Sequence, residues 1–128
     1  MPSFTLLFSV MLGGALGALG RYLTSIGIGG LLAESRLEAY PVATFGVNIL
    51  GSFLLSLLFF SNHELPPALR TALGVGFLGA LTTFSTFGLE TFYFIDEGRW
   101  LAALSYSLGS LGFGLVAIGL GRWVALSF

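Results

Sequence analysis

The stretch Gly76-Phe-Leu-Gly-Ala-Leu-Thr-Thr-Phe-Ser-Thr-Phe-Gly88 lies within a hydrophobic segment that is long enough to cross a bilayer. It holds three glycines, four hydroxyl side chains and three phenylalanines. Glycine and hydroxyl residues weaken a helix, and backbone carbonyls freed by a break are costly in hydrocarbon unless another group satisfies them. The stretch therefore predicts a broken membrane helix, and a break in mid-membrane points to a functional site.

The composition of the whole chain indicates that its solvent is lipid. Of 128 residues, 55% are hydrophobic and 9% are charged, whereas soluble domains carry about 25% charged residues. The chain has no cysteine and one histidine, His63, which excludes thiolate and multi-histidine metal centres within one chain. Its five cationic residues are all arginines and form no basic cluster for nucleic acid. Because the sequence offers no nucleophile–base pair, we do not expect an enzyme.

Four apolar segments approach or exceed the ~20 residues that span a bilayer. We expect an all-α membrane protein with one transmembrane domain over residues 1–128 and helices at about 4–32, 41–60, 68–95 and 99–126. The first segment is interpreted as a retained helix, because it lacks a basic n-region and exceeds the apolar length of a signal peptide.

The arginines divide almost evenly between the two membrane faces. The face with the first and third loops holds Arg36 and Arg99, with Arg21 if its side chain reaches that way, and the other face holds Arg70 and Arg122. Three against two gives almost no positive-inside bias. Two hypotheses stay open: insertion in both orientations, which permits an antiparallel homodimer, or one orientation fixed by a partner or by the small bias.

Polar residues recur at helical spacing in two spans. Asn48, Ser52 and Ser56 form one stripe on the second span, and Tyr106 and Ser110 lie four residues apart on the fourth. An asparagine in a membrane either bonds a neighbouring helix or presents its amide to a solvated pathway. Both interpretations stay open for Asn48, and packing is an alternative role for Ser110.

Two groups of residues near the first and third spans are first interpreted as structural. Gly13 and Gly17 have the spacing that lets membrane helices approach closely. The ionisable residues Arg21 and Glu90 lie near span ends, where a charged side chain reaches water or an ion-pair partner.

The phenylalanines of the opening stretch suit an anion pathway. Phe84 and Phe87 are three residues apart and face one way on a helix. Ring edges are electropositive, and hydroxyls with an amide supply neutral donors, so such a lining attracts a small anion without holding it too tightly. The alternative is that phenylalanine is only lipophilic filler in a chain that has 13 of them.

Three motifs resemble the fluoride channel family, also called Fluc or CrcB-type proteins. They are Gly13-Gly-Ala-Leu-Gly-Ala-Leu-Gly-Arg-Tyr22, Pro41-Val-Ala-Thr-Phe-Gly-Val-Asn-Ile-Leu-Gly-Ser-Phe53 and Gly76-Phe-Leu-Gly-Ala-Leu-Thr-Thr-Phe-Ser-Thr-Phe-Gly-Leu-Glu-Thr91. The resemblance covers essentially the whole chain. It implies a dual-topology antiparallel homodimer in the bacterial inner membrane, with two passive pores that export cytoplasmic fluoride.

The resemblance also assigns roles to residues. It implies a structural sodium ion at the dimer interface, held by the backbone carbonyls of Gly79 and Thr82, with Arg21 as a vestibule charge and Glu90 as the third-helix glutamate. The family's polar track continues one turn further with a hydroxyl, whereas this chain has Gly114 there. The implied anion pathway comprises Asn48, Thr83, Phe84, Ser85, Thr86, Phe87, Tyr106 and Ser110.

Two other functions are weighed against the channel. Small multidrug and cation exporters are also four-helix proteins, but they carry a membrane-embedded glutamate in the first helix, and the first span here has no carboxylate. A non-transporting assembly subunit is the second alternative, and it would tolerate loss of either phenylalanine.

Overall fold

The computed structural model describes residues 3–34 and 40–127, and their regular secondary structure is entirely helical. Four helical spans are long and apolar enough to cross a membrane, which confirms the predicted all-α membrane fold. The first loop was expected to carry Arg36, which lies outside the described residues. The spans are α1 (Phe4–Leu32), α2 (Val42–Phe60), a composite third span (Pro67–Asp96) and α6 (Trp100–Ser127).

The third span is interrupted, as the opening stretch predicts. The helix before the break ends at Leu81, and the backbone of the next residue, Thr82, is extended with φ −79° and ψ 155°. The next helix begins after Thr83, whose Oγ1 caps it by accepting a hydrogen bond from the Thr86 N–H at 3.2 Å. In chain order the pieces are α3 (Pro67–Thr71), a π-helical segment (Ala72–Leu78), α4 (Gly79–Leu81) and α5 (Phe84–Asp96).

The π-helical segment is a feature that the sequence analysis did not predict. A π-helix is rare and widens the backbone, so it needs a neighbour that leaves room. α1 leaves that room with glycines: a Cβ at Gly13 would collide with the Ala72 carbonyl oxygen, and one at Gly17 with the Phe77 carbonyl oxygen. Both glycines are buried. The first-span glycines therefore act in helix packing.

A second close contact joins α2 to α6. Ser56 is 4% exposed, and its hydroxyl donates to the Ile118 carbonyl oxygen at 2.7 Å. A Cβ added at Gly121 would lie 3.0 Å from the Ser56 Cβ, so the two helices touch there. α5 meets α6 through a buried cluster of Phe94, Ala103 and Tyr106. α6 thus packs against both α2 and α5.

We expect Gly13→Ala to destabilise the fold and Gly14→Ala to leave it intact. The Gly13 methyl would meet backbone, and overpacking of this kind costs about 1–3 kcal/mol. The neighbouring Gly14 has no atom within 4 Å of an added Cβ. The thermal midpoint of the protein in detergent checks this, and equal midpoints for the two variants would contradict the packing argument.

Candidate functional site

The break is bridged by one side chain of α2. Asn48 Oδ1 accepts a hydrogen bond from the Thr83 N–H at 2.8 Å, and Asn48 Nδ2 donates to the Thr83 carbonyl oxygen at 3.1 Å. The amide thus pairs with both backbone groups of one residue. In hydrocarbon each of those groups needs a partner, so Asn48 allows the chain to leave the helix at this depth. Of the two interpretations of Asn48, the structure therefore shows the first, a hydrogen bond to a neighbouring helical span.

An open cavity of about 390 Å³ lies beside the break. α2, the third span and α6 form its walls. Its polar boundary includes Asn48 and Thr83, its aromatic boundary is Phe84 and Phe87, and Ser110 borders it from α6. The structure therefore brings five of the eight predicted pathway residues to one cavity.

Ser110 is an unsatisfied group at this cavity. Its Oγ is the only buried side-chain nitrogen or oxygen without a hydrogen-bond partner in residues 3–34 and 40–127. Other serines of the same helix behave differently: Ser105 and Ser107 each donate to a carbonyl three or four residues earlier. An unpaired buried hydroxyl costs about 1–3 kcal/mol, and a bound hydrogen-bond acceptor would remove that cost.

The predicted hydroxyls of the break divide into two sets. Thr83 is 8% exposed, and its Oγ1 donates to the Thr86 Oγ1 at 3.0 Å. Ser85 is exposed, with its Oγ 3.4 Å from the Thr83 Oγ1. Neither Thr86 nor Ser85 borders the cavity. Thr86 and Ser85 therefore contact Thr83, which borders the cavity, and not the cavity itself.

The two phenylalanines differ in their surroundings. Their ring centroids are 5.9 Å apart. Phe84 is 84% exposed in the single chain, whereas Phe87 is half-buried and packs against Tyr106 with centroids 5.2 Å apart. Phe87 therefore separates the cavity from Tyr106, which does not border it.

Tyr106 belongs to a second polar cluster around Glu90. The Tyr106 hydroxyl donates to Glu90 Oε2 at 2.7 Å, and the Thr44 hydroxyl donates to Glu90 Oε1 at 2.7 Å. Thr44 and Tyr106 are both buried, and they come from α2 and α6. The structure thus places Tyr106 with Glu90 rather than with Ser110, and it satisfies both carboxylate oxygens with hydroxyls.

The backbone carbonyls of Gly79 and Thr82 are open to a ligand. α4 ends at Leu81, and the Thr83 N–H that would continue its ladder is bonded to Asn48. Among the described residues no backbone N–H donates to either carbonyl. Both residues border the cavity, and a helix C-terminus carries partial negative charge. These oxygens are suited to a hard cation. No group of three metal-ligating side chains exists in the described part of the chain.

Arg21 stands apart from these clusters. It lies on α1, is partly exposed, and its carbonyl accepts from the Ser25 hydroxyl at 3.0 Å. It borders neither the cavity nor the three smaller pockets that touch Glu90 or Tyr106.

Three hydroxyl residues take part in these sites although the sequence patterns assigned them no role: Thr44, Ser52 and Ser107. Thr44 holds Glu90, and Ser52 and Ser107 border the cavity. A signal for two of them exists, because Thr44 and Ser52 lie four residues before and after Asn48 on one face of α2.

The fold and the site define a small multi-pass membrane protein whose third helix is broken at a polar cavity with phenylalanine on its wall. The chain belongs to the CrcB-like family. Residues 8–122 match the family model described as CrcB-like protein, Camphor Resistance (CrcB). The family resemblance found in the three motifs is thereby confirmed.

Relatives in several bacteria cover nearly the same length. A protein of Saccharophagus degradans is 41% identical over 119 residues, covering 91% of this chain and 86% of the relative. One of Chloroflexus aurantiacus is 41% identical over 124 residues, covering 91% and 95%. One of Shewanella sp. strain ANA-3 is 40% identical over 123 residues, covering 94% and 96%. All three are named fluoride-specific ion channel FluC, the name of a channel and not of an enzyme.

We expect Asn48→Ala to destabilise the break. Loss of the amide leaves the Thr83 N–H and carbonyl without their partner, at about 1–3 kcal/mol for each buried group. The thermal midpoint should fall, and amide exchange at Thr83 should accelerate. Asn62→Ala is the control, because Asn62 is exposed and lies between helices. Unchanged exchange at Thr83 in the Asn48 variant would refute the bridging role.

Proposed function

We propose that this chain forms a fluoride-selective passive anion channel. The observation that carries the proposal is the cavity at the broken helix, which is lined by Phe84, Phe87 and Ser110. The buried Ser110 hydroxyl has no hydrogen-bond partner among the described residues. The family membership and the names of the relatives agree with the proposal. The exporter alternative gains no support, because the carboxylate of Glu90 is bonded by two hydroxyls.

The lining of the cavity suits a small anion that must shed water and still leave. Hydroxyls and an amide offer neutral donors, and ring edges are weakly electropositive. No arginine borders the cavity among the described residues, so no full positive charge would trap the ion. Conduction requires binding that is favourable at entry and weak enough for exit.

Passive flow is sufficient for export. Fluoride enters cells as neutral HF and ionises inside, where the negative interior repels it. The membrane potential supplies about 2.3 kcal/mol per charge per 100 mV, which drives the anion outward. The sequence carries no phosphate-binding loop of the Walker type. We place this function in the bacterial inner membrane, where that potential exists.

The working unit of the proposal is an antiparallel homodimer with two pores. In a single chain the cavity is open, Phe84 is 84% exposed, and Ser85 and Gly79 are exposed at the break. Polar groups at this depth must be shielded from the lipid hydrocarbon. A second, inverted copy would bring identical surfaces together about a two-fold axis, and the weak charge bias of the loops permits both orientations.

A central sodium ion completes the proposal. Two copies of the Gly79 and Thr82 carbonyls would give four hard oxygen ligands, and these carbonyls receive no backbone hydrogen bond in the described residues. The cation would offset the partial negative charge of two helix ends and attract nearby anions. A structure of the dimer should contain an ion within coordination distance of these oxygens, and a dry apolar axis would contradict this.

Purified protein in liposomes should release fluoride down its gradient. Vesicles loaded with potassium fluoride, with valinomycin to balance charge, are monitored with a fluoride electrode. Vesicles loaded with potassium chloride should retain their chloride. Equal fluoride and chloride fluxes would contradict fluoride selectivity, and the absence of any flux would contradict the channel function.

Replacement of the cavity wall should abolish that flux. Phe84→Ile and Phe87→Ile remove the ring edges, and Ser110→Ala should reduce release by about tenfold, as expected for one lost hydrogen bond to an anion. Phe92→Ile and Ser105→Ala are controls, because both residues are exposed and neither borders the cavity. Full flux through both cavity phenylalanine variants would show that the rings do not line the anion pathway.

Dual topology is tested with one thiol. The chain has no cysteine, so Ser127→Cys places a unique label site near the C-terminus. A membrane-impermeant maleimide should modify about half of the molecules from either side of the membrane, because loop charges give almost no orientation bias. Permeabilised membranes provide the full-labelling reference. Modification from one side alone rules out dual insertion.

A further inference from the structure

The polar stripe of α2 consists of three side chains that bond in three different ways. Asn48 pairs with the backbone of Thr83 across the break. Ser56 donates to the Ile118 carbonyl oxygen and closes the seam with α6. Ser52, between them, donates at 2.7 Å only to the Asn48 carbonyl oxygen, four residues earlier on its own helix. Ser52 alone holds no neighbouring element in place.

The hydroxyl of Ser52 is available to a ligand. A serine bond to the carbonyl of residue i−4 adds to the helix ladder and is readily given up when the hydroxyl rotates. Ser52 borders the cavity that also contains Phe87 and Ser110 on its wall. Asn48 and Ser56 could not turn toward that cavity without releasing the break or the α2–α6 seam.

A glycine of α6, Gly114, lies opposite this hydroxyl. Gly114 is four residues after Ser110, one helical turn further along the same face. A Cβ built at Gly114 would lie 3.9 Å from the Ser52 Oγ, which is its nearest neighbour. A side chain at Gly114 would therefore contact the hydroxyl of Ser52, and α6 itself supplies no polar side chain at this position.

We propose that Ser52 is an anion-binding residue of the pathway and takes the anion over from Ser110 one turn further along. This inference rests on the proposed fluoride conduction and adds a donor that α6 lacks at Gly114. The hydroxyl rotates from the Asn48 carbonyl to the passing fluoride and returns when the ion leaves. The ion thereby keeps a hydrogen-bond donor one helical turn beyond Ser110.

Fluoride release from liposomes tests this with single and double variants. Ser52→Ala should lower the flux by about tenfold, the effect of one hydrogen bond to an anion. Ser52→Ala combined with Gly114→Ser should restore most of it, because the new hydroxyl would occupy the same space from the other helix. Ser52→Thr keeps the hydroxyl and should conduct. Ser9→Ala is the matched control, because Ser9 donates to the Thr5 carbonyl at the same 2.7 Å but lies on α1 away from the cavity.

Each result decides the inference. Recovery with Gly114→Ser but not with Gly114→Ala in the Ser52→Ala background supports it, since the added methyl group fills space without supplying a donor. Equal recovery with both overturns it. Wild-type flux in Ser52→Ala overturns it and leaves the channel function intact. A loss that neither Gly114→Ser nor Ser52→Thr recovers also overturns it, because the cause is then packing. If the unaltered protein conducts no fluoride, the proposed function fails and this inference fails with it.

Discussion

The pairing of Asn48 with Thr83 is the interaction on which the site depends. A helix cannot stop in hydrocarbon without exposing backbone groups, and each exposed group costs several kcal/mol. The Asn48 side chain supplies one of its two amide N–H donors to the Thr83 carbonyl, and its Oδ1 accepts from the Thr83 N–H. The Thr83 N–H is thereby withdrawn from the ladder of α4, which leaves the Gly79 carbonyl without a partner. A single side chain of α2 thus stabilises the break and leaves the carbonyl of Gly79 available to a ligand.

The polar side chains of the spans fall into two groups. Some form hydrogen bonds between helices, and others have a hydroxyl that could bind a ligand. Ser56 binds α2 to α6, and Glu90 is held between Thr44 and Tyr106. Ser110 has no partner, and Ser52 has only the carbonyl of its own helix. A buried donor without a partner costs free energy. A ligand that accepts a hydrogen bond from such a donor therefore gains the most binding free energy at this position.

Close packing on the opposite side keeps the broken span in position. Gly13 and Gly17 allow α1 to approach the π-helical segment until no methyl group fits between them. Such contact holds the third span firmly on α1 while its other side faces α2 and α6. The break is therefore supported by backbone packing on one side and by one amide on the other, and the cavity remains open in the single chain.

The four spans, the break and the family could be predicted from the residues alone, because hydrophobic length, a polar interruption and motifs are local properties of the chain. The residue types at the break were also evident there, including both phenylalanines, Asn48 and Ser110. Which polar groups pair depends on how the helices pack. Packing joins both Tyr106 and Thr44 to Glu90, forms a π-helix that depends on two glycines of another helix, and places Ser52 opposite Gly114. Those outcomes depend on distances between helices, which spacing within one helix does not specify.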